Sequence, residues 1–175
     1  MAKRVAVLAV NPVNGSGLFQ YLEAFFENQI PYEVFAVADT KEIKTNSGIT
    51  LVVEDVIANL KGREDEFDAL VFSCGDAIPK FSENADKLYN QDMMAVIKAF
   101  GEKGKIMIGH CAGAMIFDLA GITAGKKVAV HPLAKPAIQK GKATDEKSVQ
   151  DGNFFTSQDE NEIRTILPEI LEALK

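Results

Sequence analysis

Two cysteines, Cys74 and Cys111, are too few for a disulfide framework, and their separation does not match the close pairs of a zinc site. Basic charge is also in short supply: 19 lysines and arginines stand against 25 acidic residues, a net charge of -6, and the lysines are scattered along the chain. Such a surface repels phosphate backbones and excludes nucleic acid as a partner. No apolar run is long enough for a membrane span. The run that follows Met1-Ala2-Lys3-Arg4 is broken by Asn11-Pro12 too early for a signal peptide, so no membrane association and a cytoplasmic location are expected. Repeats and low-complexity segments are lacking as well. What 175 residues with 47% hydrophobic content supply is enough apolar material for one sizeable core, so a single domain over residues 1–175 is expected.

Val5 to Val10 is apolar without alternation, which predicts a parallel strand covered on both faces. After the loop from Asn11 to Gly17, the stripe Leu18, Phe19, Leu22, Phe25 and Phe26 predicts a helix packed on the sheet, ended by Pro31. Strands are then predicted at Glu33 to Ala38, Ile49 to Val53 and Ala69 to Ser73, with a short helix from Asp55 to Leu60. A longer helix is expected from about Glu83 to Phe100, with Leu88, Ile97 and Phe100 inward and Gly101 and Gly104 as stops. Lys105 to Gly109 and Val128 to Val130 read as strands, and Lys147 to Val149 with Phe154 to Thr156 as a hairpin around Asp151-Gly152. The last helix carries Ile163, Ile166, Leu167, Ile170, Leu171 and Leu174 at helical spacing, with a kink or restart expected at Pro168. Strands alternating with helices imply an α/β fold with a mostly parallel sheet and helices on both faces.

The segment Gly109-His110-Cys111-Ala112-Gly113 joins a predicted strand to a predicted helix and has the form of a nucleophile elbow. Flanking glycines permit a bend that lifts the central side chain above the sheet edge, and a helix N-terminus behind it favours thiolate. Cys111 therefore reads as a reactive nucleophile, with a small buried hydrophobe as the bland alternative. His131 ends the apolar run Val128 to Val130, and the ends of parallel strands share one edge, so its imidazole is expected to reach Cys111 as proton-transfer group; a histidine bonded within a loop is the alternative. Gly75 and Ala112 are the expected backbone donors to an oxyanion, with Asp76 beside them in the substrate site. Cys74 reads as a passive buried thiol or, if it faces the same pocket, as a redox partner of Cys111. His110 is expected to point to the opposite side of the strand, in a structural role.

These motifs resemble the ThiJ/PfpI family, which includes the parkinsonism-associated protein and the intracellular proteases named PfpI. The resemblance covers nearly the whole chain. It is carried by the first strand Val5 to Val10, the turn Cys74-Gly75-Asp76, the elbow at 109 to 113, His131-Pro132-Leu133-Ala134-Lys135, and Asp151 to Ser157. It implies a flavodoxin-like three-layer sandwich, similar to that of the class I glutamine amidotransferases, and a homodimer. It matches Cys111 to the family's nucleophilic, oxidation-sensitive cysteine and His131 to its companion histidine. No metal or organic cofactor is implied, and the partner is a small-molecule substrate or an oxidant. Expected activities are hydrolase chemistry of the protease or amidase kind, or glyoxalase or deglycase chemistry on small electrophilic carbonyls, with a non-catalytic redox sensor or stress protein as the alternative.

The chain departs from the family pattern twice. Members of the parkinsonism-protein branch carry a glutamate after the first strand whose carboxyl bonds to the sulfur; a gap-free comparison of first helices puts Gly17 there, with only Asn14 or Ser16 nearby as hydrogen-bond donors. The histidine that follows the cysteine in the protease branch is Ala112 here. Glutamine amidotransferase chemistry needs a late His-x-Glu pair, and neither His110 nor His131 begins one.

Overall fold

In the computed structural model, which describes all 175 residues, the chain begins with β1 (Val5–Val10), α1 (Gly15–Glu27), β2 (Tyr32–Val37), β3 (Glu42–Lys44), β4 (Thr50–Val52), β5 (Asp55–Val56) and β6 (Ala69–Ser73). It continues through α2 (Leu88–Glu102), β7 (Ile106–His110), α3 (Gly113–Leu119), β8 (Lys127–Val128), β9 (Lys142–Ala143), β10 (Ser148–Asp151), β11 (Phe154–Ser157) and α4 (Ile163–Leu174). Seven strands form one sheet in the order β10-β11-β7-β6-β1-β2-β5, and every neighbouring pair is parallel except β10 with β11. Without the edge strands β5 and β10, this is the flavodoxin-like order.

The apolar runs dictate the centre. Every residue of β1, β6 and β11 is buried, as strands covered on both faces require. Helices α1 and α4 pack together on one side of the sheet, and α2 and α3 pack together on the other. The predicted hairpin is present as β10 and β11, turning at Gly152 with a left-handed φ of 58°. At the C-terminus α4 runs unbroken from Ile163 to Leu174 with Pro168 inside it, in place of the expected restart.

Other elements depart from the sequence pattern for identifiable reasons. The face that α1 buries is Leu18, Tyr21 and Phe25, whereas Phe19 and Phe26 are exposed. Phe19 instead borders an apolar groove of about 400 Å³ shared with Leu22, Leu51 and Val52. The strand predicted at Ile49 to Val53 is β4, which pairs with β3 in a separate hairpin and not in the main sheet. The short helix predicted at Asp55 to Leu60 divides into edge strand β5 and a single 3₁₀ turn at Ile57–Asn59. Helix α2 starts only at Leu88, after two 3₁₀ turns, and Leu88 is exposed while Met93, Val96, Ile97 and Phe100 face the core.

The strand predicted at Val128 to Val130 is only Lys127–Val128, paired with β9 outside the main sheet. Beyond it, Ala129 is held by its N–H donating to the Thr156 hydroxyl on β11, at 2.9 Å. Asp118, buried at the end of α3, ties the far side of this region down: its carboxylate accepts from Thr123 and from the backbone N–H groups of Gln139, Lys140 and Gly141. Burial raises its pKa, but those four hydrogen bonds outweigh burial and hold it below the usual carboxylate range. A charged clamp thus sits under the loop that follows β8.

Candidate active site

Ligands of open parallel sheets bind beyond the strand C-termini where the strand order reverses. Here that point lies between β1 and β6, and a cavity of about 830 Å³ opens there. Asn14 reaches it from the loop after β1, Cys74 and Gly75 from the end of β6, His110, Cys111 and Ala112 from the end of β7, and His131 from the segment after β8. Asp76, Asp159 and Glu160 are its charged members, and neither lysine nor arginine borders it.

Cys111 has φ 56°, a left-handed conformation that costs a non-glycine residue roughly 1–3 kcal/mol. This bend is what carries the half-buried thiol into the cavity. The elbow glycines serve the packing behind it: a side chain at Gly109 would stand 3.1 Å from the Phe117 ring, and one at Gly113 3.4 Å from Phe72. They let α3 lie close against β6 and β7.

Sequence reasoning credited the helix end with activating the thiol. The structure adds a stronger influence. The neighbouring Cys74 thiol is the main cause that lowers the Cys111 pKa, opposed by burial and assisted by the Ala112 N–H; Glu160 and Asp159 push the other way. Cys74 responds oppositely. Its interaction with Cys111, then burial, keep its own pKa well above the ordinary value, so it remains the protonated member of the pair. Strand register explains the meeting, because Phe72 of β6 pairs with Gly109 of β7, and two residues further on each strand lie Cys74 and Cys111.

Asn14 and Ser16 are engaged elsewhere. The Asn14 side-chain oxygen caps α1 by accepting from Gly17 N–H at 2.6 Å, and Ser16 is exposed with its hydroxyl against Gln20. Gly75 is glycine for a reason other than substrate approach: a Cβ there would stand 2.2 Å from the Pro12 carbonyl oxygen and 2.5 Å from Val13 Cα. The N–H groups of Gly75 and Ala112 both act to lower the Cys74 pKa, and of the two only Ala112 acts on Cys111. Asp76 is exposed at the rim, where its N–H donates to Asn46 at 3.0 Å.

His131 joins the cavity by a different route from the one its sequence context predicts. Its strand does not belong to the main sheet; instead its N–H donates to the Cys111 carbonyl at 2.9 Å, fastening it directly to the elbow. The Leu133 N–H donates to Nδ1 at 3.1 Å, so the neutral ring carries its proton on Nε2. In that form His131 offers a hydrogen-bond donor at Nε2, and its basic nitrogen is already occupied.

His110, expected on the opposite side of its strand, does face α1: Nδ1 lies 3.1 Å from the Tyr21 hydroxyl. It also lines the cavity, which the sequence did not signal, and burial alone pushes its pKa down to about 4. Gly17, which the resemblance sets against a glutamate, lies against this ring, and a Cβ on it would stand 2.6 Å from His110 Nε2. No group of three or more His, Cys, Asp or Glu side chains is arranged to hold a metal ion, and no helix is long and apolar enough to cross a membrane.

Residues 3–173 match the DJ-1/PfpI family. The protein ppBat of Bacteroides thetaiotaomicron is 78% identical over 175 residues, covering 100% of both chains. A crystal structure from the same organism, described as a candidate protease I, superposes with a TM-score of 0.99 at 78% identity over 99% of this chain and 100% of that one. Drosophila melanogaster DJ-1beta has the same fold, with a TM-score of 0.83 at 18% identity over 99% of this chain and 91% of its own. By its sheet order, its cysteine elbow and this match along nearly its whole length, the chain belongs to the DJ-1/PfpI family.

Proposed function

We propose that the chain is a cysteine-dependent enzyme in which the Cys111 thiolate adds to the carbon of a small electrophilic carbonyl or acyl compound. The observation that carries this reading is the strained elbow, which holds a thiol with a lowered pKa at the wall of a cavity large enough for a small substrate. Attack forms a carbon–sulfur bond and moves the carbonyl electron pair onto oxygen. The Ala112 N–H, which helps lower the Cys111 pKa, meets that oxygen, Nε2–H of His131 donates a hydrogen bond to it or to a leaving group, and the proton itself comes from water. Three carboxylates and no cation border the cavity, which suits neutral or cationic substrates better than anionic ones.

One observation favours a second reading, reversible oxidation. Cys74 and Cys111 follow the ends of neighbouring parallel strands, which lie about 4.8 Å apart where they pair, and each thiol shifts the pKa of the other. Attack of the Cys111 thiolate on a peroxide transfers one oxygen to give the sulfenic acid and releases water or alcohol. Attack by Cys74 then expels that oxygen as water and closes the disulfide, which a dithiol reductant reopens.

Alkylation by iodoacetamide across pH, with intact-mass readout, tests the premise that both readings share. A thiolate held by a donated hydrogen bond reacts at lower pH than a free thiol. Wild-type Cys111 is expected to reach half its maximal rate at a lower pH than a free thiol, and Cys74→Ala, which removes the neighbouring S–H, to raise that midpoint. A midpoint at or above the free value in wild type removes the premise. Peroxide separates the readings: a mass loss of two hydrogens, absent in Cys74→Ser, marks the disulfide, and stepwise oxygen gain with no disulfide in wild type rules it out.

A further inference from the structure

Two buried side-chain polar atoms have no hydrogen-bond partner, Ser73 Oγ and His110 Nε2. They are neighbours. The register that pairs Phe72 with Gly109 places Ser73 beside His110 one step later, and paired residues on parallel strands face the same side of the sheet, here the side under the start of α1. An orphaned buried polar atom costs about 1–3 kcal/mol, and an apolar residue at either position would avoid that cost.

The proton on His110 can be located by elimination. Tyr21 is buried and burial, with the nearby Cys74, keeps its phenol protonated. The Tyr21 hydroxyl has one partner, His110 Nδ1; donation from Nδ1–H would leave the buried O–H and the Nε2 lone pair both unpaired, so we assign the O–H as donor and Nδ1 as acceptor. The ring is neutral in the physiological range, since burial holds its pKa near 4. Its proton therefore resides on Nε2, the orphan, on a ring that lines the Cys111 cavity. The bare α-carbon of Gly17 makes the room that this ring occupies.

We infer that His110 Nε2–H, with the Ser73 hydroxyl beside it, forms an uncharged donor pair that hydrogen-bonds an oxygen atom of a compound joined to Cys111. This rests on the reading of Cys111 as nucleophile and adds a second oxygen-binding group to it, on the face of the sheet opposite α3. A neutral imidazole is suited to this task. It lends a proton-rich edge to a developing negative charge without bringing a full charge into an apolar site, and it stays in that form while the pH varies.

The test has two arms. In the first, ¹⁵N-labelled protein is followed by NMR before and after Cys111 is alkylated with iodoacetamide, which places an amide carbonyl in the cavity whether or not turnover exists. The His110 proton is expected on Nε2 from about pH 8 to about pH 5, with the Nε2–H resonance moving on alkylation. A proton on Nδ1, a titration near the ordinary histidine value, or an unmoved Nε2–H signal overturns the inference. The second arm is kinetic. With methylglyoxal or an activated ester, His110→Phe is expected to lower kcat by about 10²-fold with little change in KM and none in the alkylation midpoint, Ser73→Ala to lower it less, and His110→Gln to recover part. Loss confined to KM, or no loss in correctly folded His110→Phe, overturns it too. Absence of turnover in wild type defeats the enzyme reading, while the NMR arm still decides this one.

Discussion

Cys111→Ser should abolish turnover of methylglyoxal and of an activated ester, by at least about 10³-fold in kcat/KM, while the protein folds and melts as before. The loss follows from the chemistry of the position. Serine is nearly the same size and accepts the same left-handed backbone, so the bend at φ 56° and the His131 N–H bond to the residue 111 carbonyl persist. What vanishes is ionisation: the Cys74 S–H and Ala112 N–H that lower a thiol's pKa cannot bring an alcohol near thiolate-like reactivity at neutral pH, and His131 has its Nδ1 committed to Leu133 and is not free to act as base. Kinetics on purified wild type and variant, with a thermal melt of each, check this. Equal turnover by the two, or none by wild type with either probe, discards the enzyme reading.

Gly75→Ala carries the second large effect, on stability and on the pair of thiols together. The added carbon would stand 2.2, 2.5 and 2.8 Å from Pro12 O, Val13 Cα and Asn14 N, all backbone atoms that cannot rotate away. Relief requires the turn after β6 to part from the loop after β1, which strains the bonds between them, Asn14 N–H to the Cys74 carbonyl at 2.9 Å and Ala77 N–H to the Pro12 carbonyl at 3.4 Å. Overpacking of this kind against fixed atoms costs about 3 kcal/mol or more, which for a chain of this size lowers Tm by about 6–12 °C. Because Cys74 moves with the turn, the pH midpoint of Cys111 alkylation should shift in the same variant. A melt within about 2 °C of wild type contradicts the account.

The parts of this fold written in short-range pattern were legible in the chain. Apolar runs without alternation gave β1, β6 and β7 their central places, Asp151-Gly152 marked the hairpin, and the elbow stood out between strand and helix. Patterns over longer distances were not. Periodicity cannot tell which of Phe19, Tyr21 and Phe26 faces inward, because aromatic residues on adjoining faces of α1 fit overlapping stripes. Leu88 looked like a core residue because its neighbours fit a helix, yet the helix begins with it.

The same divide runs through the site. That Cys111 and His131 border one cavity followed from local motifs, although His131 arrives by a backbone bond to the elbow and not by membership of the main sheet. The contact of Cys74 with Cys111 depends on how β6 registers against β7, and the reason for Gly75 on a loop sixty residues away; neither is encoded nearby in sequence. Ser73 escaped notice and His110 read as structural, because a serine and a histidine at strand ends look ordinary until each is found with an unpartnered atom.

The close fit of Gly17 against the His110 ring links two positions that sequence separates widely. Neither can drift alone. A carboxylate side chain at 17 would have to displace the imidazole, and a smaller residue at 110 would open a void beneath the start of α1, so an evolutionary path between a glutamate-bearing and a histidine-bearing pocket must change both sites together or pass through a weakened intermediate.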